Sequence, residues 1–185
     1  MSQSIDEMVK ILKENENRKI IALEKAQQDK NLQKAFEKSK IFIVHGHNEL
    51  MKLAVENTLL RLNLNPIILD EKVNQGNTII EKFEKQSTDV RFAVVLLSPD
   101  DELILNGENI FRARQNVIFE LGHFVSKLGR QNVVVLYVNN KKIELPSDID
   151  GIVYIPYEGT KGNWRLELVS ELRTAGYNVN ADMLL

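Results

Sequence analysis

Arg112, Asn116 and Glu120 stand four residues apart, with His123 three further on. Side chains at that spacing stack along one side of a helix, so a cation, an amide and a carboxylate share a line. A carboxylate held in such company can stabilise a developing positive charge. The same line can equally be a solvated face with an intrahelical pair, and what it faces decides between the two. The stretch that carries it, Arg112 to Leu128, also places Val117, Leu121, Phe124, Val125 and Leu128 at the spacing of one buried face. It is therefore expected to be an amphipathic helix anchored on a core.

Other candidate groups lie at strand ends. His45-Gly46-His47 interrupts the apolar run Ile41–Val44, Asp70 follows Pro66–Leu69, and Ser98-Pro99 closes Phe92–Leu97. Arg114 joins Arg112 as a cation suited to a ligand anion, or as a partner for Asp100, Asp101 or Glu102. Several chemistries lack their motifs. No GxGxxG follows the first strand, no GxxxxGK[ST] occurs, and no GxSxG elbow is present. Paired acidic residues after the first strand, as a receiver domain would need, are replaced by His-Gly-His. There is no cysteine and there are three histidines, so thiolate catalysis, disulfides and cysteine-ligated zinc are excluded and no metal is expected.

The elements that must position these groups are legible in the pattern. Residues 1–38 are rich in Lys, Glu, Gln and Asn, with a capping box at Ser4 and Glu7. Their apolar seam is too thin for a core, so a helical segment that docks or self-associates is expected there, with the main domain at 39–185. Buried-type strands then alternate with helices: Ile41–Val44, a helix capped by Asn48, Pro66–Leu69, a helix opened by Thr78 and Glu81, Phe92–Leu97, and the helix from Arg112. Val133–Val138, Ile152–Ile155 and a final helix from Trp164, with Asn163 as its cap, complete the order. Such alternation implies an α/β fold with a parallel sheet covered on both faces.

If the strand order is flavodoxin-like, 2-1-3-4-5, the ligand crevice lies beyond the first and third strands. The loops there are His45–Asn48 and Ser98–Phe111, with Asp70–Asn77 as the neighbouring wall. Topology then puts Arg112, Asn116 and Glu120 beside His45, His47 and Ser98. The 99–111 connection is the one long loop, and long loops in compact domains are often functional. Hydrophobic residues at 43% supply a sizeable core, whereas a net charge of −2 argues against a nucleic-acid partner. No apolar run approaches the roughly 20 residues that span a bilayer, so no membrane partner is expected and a cytoplasmic location is.

Five stretches in order, KIFIVHGHN, PIILDE with NQGNTIIEKFE, AVVLLSPDD, RARQNVIFELGHFVSKLGR and LPSDIDGIVYIP, carry a family resemblance. Together they resemble the TIR-like (Toll/interleukin receptor-like) domain of bacterial predicted nucleotide-binding proteins. That group includes TIR effectors of cyclic-nucleotide-triggered anti-phage systems of the CBASS and Pycsar type. The resemblance covers about residues 40–180. It implies a flavodoxin-like TIR fold and, for catalytic members, an NAD⁺ glycohydrolase activated by oligomerisation.

On this resemblance Glu120 matches the catalytic glutamate, and His45, Gly46 and His47 match the loop lining the nucleotide pocket. Asp70–Asn77 matches the mobile gating loop, and Ser98 the serine of the LSP strand end. Many TIR domains carry larger aromatic or basic residues where this chain has Gly46 and His47. NAD⁺ is then a substrate and no cofactor is expected. A homo-oligomer through TIR surfaces and the N-terminal helices is implied. No cyclic-nucleotide sensor follows within these 185 residues, so a sensing or other defence partner is expected in trans. Two alternatives stay open: a non-catalytic TIR scaffold or nucleotide-signal-binding module, and an enzyme like the nucleoside deoxyribosyltransferases.

Overall fold

A computed structural model describes residues 16–30, 40–68, 87–105, 107–139, 143–146 and 150–185. The chain divides into two units, residues 1–37 and 38–185. Of the first, α1 (residues 16–30) is described; it is exposed along its length, including Ile20, Ile21 and Leu23. The capping box at Ser4 and Glu7 lies outside the described residues, as do Asp70–Asn77 and the helix expected from Thr78.

The second unit is built on a five-stranded parallel sheet. Its strands are β1 (Lys40–Val44), β2 (Asn65–Ile68), β3 (Phe92–Leu97), β6 (Val133–Val138) and β8 (Val153–Tyr157), in the order β2-β1-β3-β6-β8. Counting only these parallel strands, the order is the expected 2-1-3-4-5. Successive side chains of a strand point to opposite faces, and here both faces are buried. Ile41, Ile43, Val94, Leu96, Val134 and Leu136 form one core, together with Met51, Val55 and Leu59 of α2 (Glu49–Arg61) and Leu168 and Leu172 of α4 (Trp164–Thr174). Phe42, Val44, Val95, Leu97, Val133 and Val135 form the other, with Val117, Leu121 and Phe124 of α3 (Gln115–Leu128). This double covering is why the strands read as continuous apolar runs.

Local signals account for most helix ends. Asn48 Oδ1 accepts from the Met51 amide at 3.1 Å, so α2 starts where the sequence indicates. Gly129, with φ +80°, ends α3. Asn163 stands at the start of α4 but makes no cap; its Nδ2 donates instead to Glu167 Oε1 at 3.1 Å. Trp164 is fully buried and its Nε1–H donates to the Gly159 carbonyl at 2.7 Å, so it is a core residue.

The stretch after Pro99 departs from expectation. It is not a loop: β4 (Asp101–Leu105) and β5 (Glu108–Arg112) form an antiparallel hairpin, and β7 (Ile143–Glu144) adds to β5 in parallel. The register pairs Leu105 with Glu108, and Gly107, which lies between them, has φ +80°. The physical signal was present. An Asn-Gly pair between apolar positions strongly favours a two-residue hairpin, because its backbone twist matches that of the strands. This second sheet, β4-β5-β7, also shortens the following helix. Arg112 ends β5, and α3 begins at Gln115.

Candidate functional site

Among the described residues, the C-terminal ends of β1 and β3 are joined by one side chain. Ser98 follows β3, is only 2% exposed, and donates its hydroxyl proton to Asp100 Oδ1 at 2.8 Å. The His47 backbone N–H, in the loop after β1, donates to Asp100 Oδ2 at 3.2 Å. The amide of Asp100 is itself anchored, lying 2.8 Å from the Ser98 carbonyl oxygen and 3.1 Å from that of Arg112. The end of β5 therefore returns beside the point from which the hairpin departed, and α3 opens three residues later.

Gly46 sits buried in this junction. Its φ is not in the left-handed region, so the backbone does not demand glycine; space does. A Cβ there would overlap Asp100 Oδ2 and would lie 3.0 Å from its Cγ and 3.3 Å from Ser98 Oγ. His45 is half-buried, and its Nδ1–H donates to the Gly46 carbonyl at 2.8 Å. The His47 side chain is exposed while its backbone is pinned. Gly46, His47 and Ser98 are thus brought together around Asp100, and His45 is bonded to the Gly46 carbonyl. Sequence reading considered Asp100 only as an arginine's partner. A contact between residues distant in sequence leaves no local periodicity to detect.

The helical line of three does not form as a line. Arg112 lies on β5, and its Nε donates to Glu144 of β7 in an ion pair across the small sheet. That hydrogen bond and the Glu144 charge raise the guanidinium pKa above its ordinary value. Arg114 is half-buried at the N-cap of α3; no side-chain cap is made there and the first turn carries no acid. Asn116 is exposed in that first turn, whereas Glu120 is half-buried one turn further. At 1.5 Å per residue, Glu120 lies roughly 7.5 Å along the axis from the first residue of α3. His123 follows on the same side, with its ring edge-on to Phe124 at 5.6 Å between centroids. Asp70 lies outside the described residues. Among those described, no group of three His, Asp or Glu side chains is placed to hold a metal ion, and no helix is long and apolar enough to cross a membrane.

What the arrangement offers is a half-buried carboxylate on a helix that opens at the switch point, with an uncapped first turn, a flanking arginine and two histidines at the mouth. That set can hold a polar, anionic ligand and stabilise a cation beside it. Comparison with known proteins shows the family. The family model described as "CAP12/Pycsar effector protein, TIR domain" matches residues 40–159, which span every described candidate above. An uncharacterized protein of Escherichia coli K12, YuaY, is 45% identical over 148 residues, covering 79% of this chain and 48% of the relative. Protein tirC of Dictyostelium discoideum is 40% identical over 131 residues, covering 65% of each chain. The Pycsar effector protein PaPycTIR of Pseudomonas aeruginosa is 38% identical over 87 residues, 47% of this chain and 28% of that protein. The matched part is less than two thirds of the length of each of these relatives.

Proposed function

The chain belongs to the TIR-domain family of CAP12 and Pycsar effector proteins, and on that footing we propose that it is an NAD⁺ glycohydrolase of antiviral defence. The observation that carries the reading is the position of Glu120: a carboxylate on the helix opening at the switch point, inside the matched region. The substrate is NAD⁺ and the bond broken joins nicotinamide to C1′ of the ribose. The bonding pair leaves with the ring nitrogen, which starts positively charged and departs neutral, so no general acid is required. The ribosyl centre becomes oxocarbenium-like, as in glycoside cleavage. The Glu120 carboxylate stabilises it and holds the ribose hydroxyls. Water then adds to C1′ and releases a proton, giving ADP-ribose; attack by the adenine end instead gives a cyclic product.

In this reading Arg114 and the uncapped first turn of α3 receive the pyrophosphate. Arg112, ion-paired with Glu144, stands three residues before α3. Asn116, one turn before Glu120, orients the carboxylate, and His45 and His47 border the nicotinamide ribose. Activity requires self-assembly of copies of this chain, with a cyclic-nucleotide-sensing or other defence partner supplying the signal, in the cytoplasm. The test is nicotinamide release from NAD⁺ by concentrated protein, with and without candidate cyclic-nucleotide partners. Glu120→Gln is expected to lower the rate by at least about a hundredfold while leaving the melting temperature and oligomer mass unchanged. Full activity in that variant removes Glu120 from the chemistry.

A further inference from the structure

We propose that Asp100 is the positioning residue of the crevice, a carboxylate that locks the loop after β1 to the loop after β3 and thereby presents His47. This deepens, and rests on, the reading that the crevice takes NAD⁺. The geometry accounts for both carboxylate oxygens, since Oδ1 accepts from the Ser98 hydroxyl and Oδ2 from the His47 amide. Each oxygen of Asp100 thus holds a protein donor, which is a positioning role distinct from that proposed for Glu120. The Ser98 hydroxyl proton is equally committed, and with 2% exposure Ser98 acts as a strut rather than a ligand contact. Gly46 completes the device by leaving room for the carboxylate, where any side chain would displace it.

The consequence is a division of labour within His45-Gly46-His47. Gly46 makes space, the His47 backbone is clamped, and the His47 imidazole is exposed at the crevice mouth. The anchored Asp100 amide extends the lock to the end of β5 through the Arg112 carbonyl. The spacing between the β1 loop and the start of α3, and so between His47 and Glu120, is then set by one residue. Losing such a clamp loosens substrate placement without removing any reacting group, so binding suffers before chemistry does.

Three variants test this, each read by NAD⁺ kinetics and by the His47 amide resonance in ¹⁵N-edited NMR spectra. Asp100→Ala removes both acceptors and is expected to raise KM about tenfold while kcat stays within about twofold. Gly46→Ala, which mutates no clamp residue but displaces the Asp100 carboxylate, should behave alike. Asp100→Asn keeps one acceptor oxygen and should fall between Asp100→Ala and the unaltered chain. In Asp100→Ala the His47 amide proton should move upfield as its bond is lost. An unchanged KM in Asp100→Ala, or an unmoved His47 amide, overturns the proposal. If Asp100→Ala does not fold, Asp100→Asn and Ser98→Ala carry the same readouts. If the unaltered chain releases no nicotinamide under any condition, the NAD⁺ reading fails, and the clamp is then decided by the His47 amide alone.

Discussion

The two sheets of this protein are held by different forces. Every residue of β3 is buried, and the five-stranded sheet is sealed by α2 and α4 on one face and by α3 on the other. In β4, Asp101, Glu102, Leu103 and Ile104 are all exposed, and β5 buries little more. The large sheet is a hydrophobic structure whose two apolar faces are both covered by helices. The small sheet is held by ladder hydrogen bonds, a turn and polar pairs such as Asn109 Nδ2 donating to Glu102 Oε1 at 2.7 Å. One gives a rigid floor. The other is a flap-like connection whose task is geometric: it carries the chain from Ser98 out and back to Arg112, so that α3 opens beside Asp100.

This contrast is open to measurement. Phe124→Ala removes a fully buried ring whose centroid lies 4.8 Å from that of Phe42. It should cost about 3–5 kcal/mol in denaturant unfolding, the largest effect expected of any single change considered. Gly107→Ala places a Cβ on a residue with φ +80° at the tip of the hairpin, and about 1–2 kcal/mol of local strain is expected. Hydrogen exchange should assign that loss to β4 and β5 and leave the five-stranded sheet protected; protection lost throughout would show the two sheets to be one cooperative unit.

Smaller effects sharpen the same difference. Tyr177 packs edge-on against Phe92 at 5.9 Å, and its hydroxyl is buried without a hydrogen-bond partner among the described residues. Burial raises its pKa from 10.0 to about 12, opposed by the nearby charge of Arg91. The folded chain therefore binds this proton more tightly than the unfolded chain. The resulting stability is complete below pH 10 and is lost as pH rises toward 12. Tyr177→Phe should leave stability at pH 8 unchanged or raise it by up to about 1 kcal/mol, and should flatten the alkaline decline. Arg112→Ala should move the melting temperature least of all, because the ion pair with Glu144 is exposed and screened by water and salt. A large loss there would mean the small sheet depends on charge rather than on pairing.

Legibility tracks the same division. The strands of the large sheet announce themselves because burial on both faces forces runs such as FAVVLL, and short connections with a fixed handedness leave few orders for them to adopt. The hairpin hid among Asp, Glu and Asn residues that read as loop, although that stretch holds an Asn-Gly pair, a hairpin signal. Placing Arg112 on the helix followed from a spacing that is real in the sequence. The backbone of Arg112 belongs to β5 instead, because the pairing opposite Asp101 competes for it and wins.

Residue types and their periodicity by themselves determined the parallel sheet, the apolar face of α3, and Glu120 as a carboxylate on the helix after the third parallel strand, while the strand order was an implication of the family resemblance. The first three are consequences of local pattern and of burying apolar surface, and both are written along the chain. Only the tertiary structure decided that α3 begins at Gln115, that Arg112 turns to Glu144, and that Asp100 holds Ser98 and His47 together over Gly46. Those depend on which polar groups meet once the sheet has formed. A hydrogen bond between residues 53 positions apart has no period by which a sequence could show it.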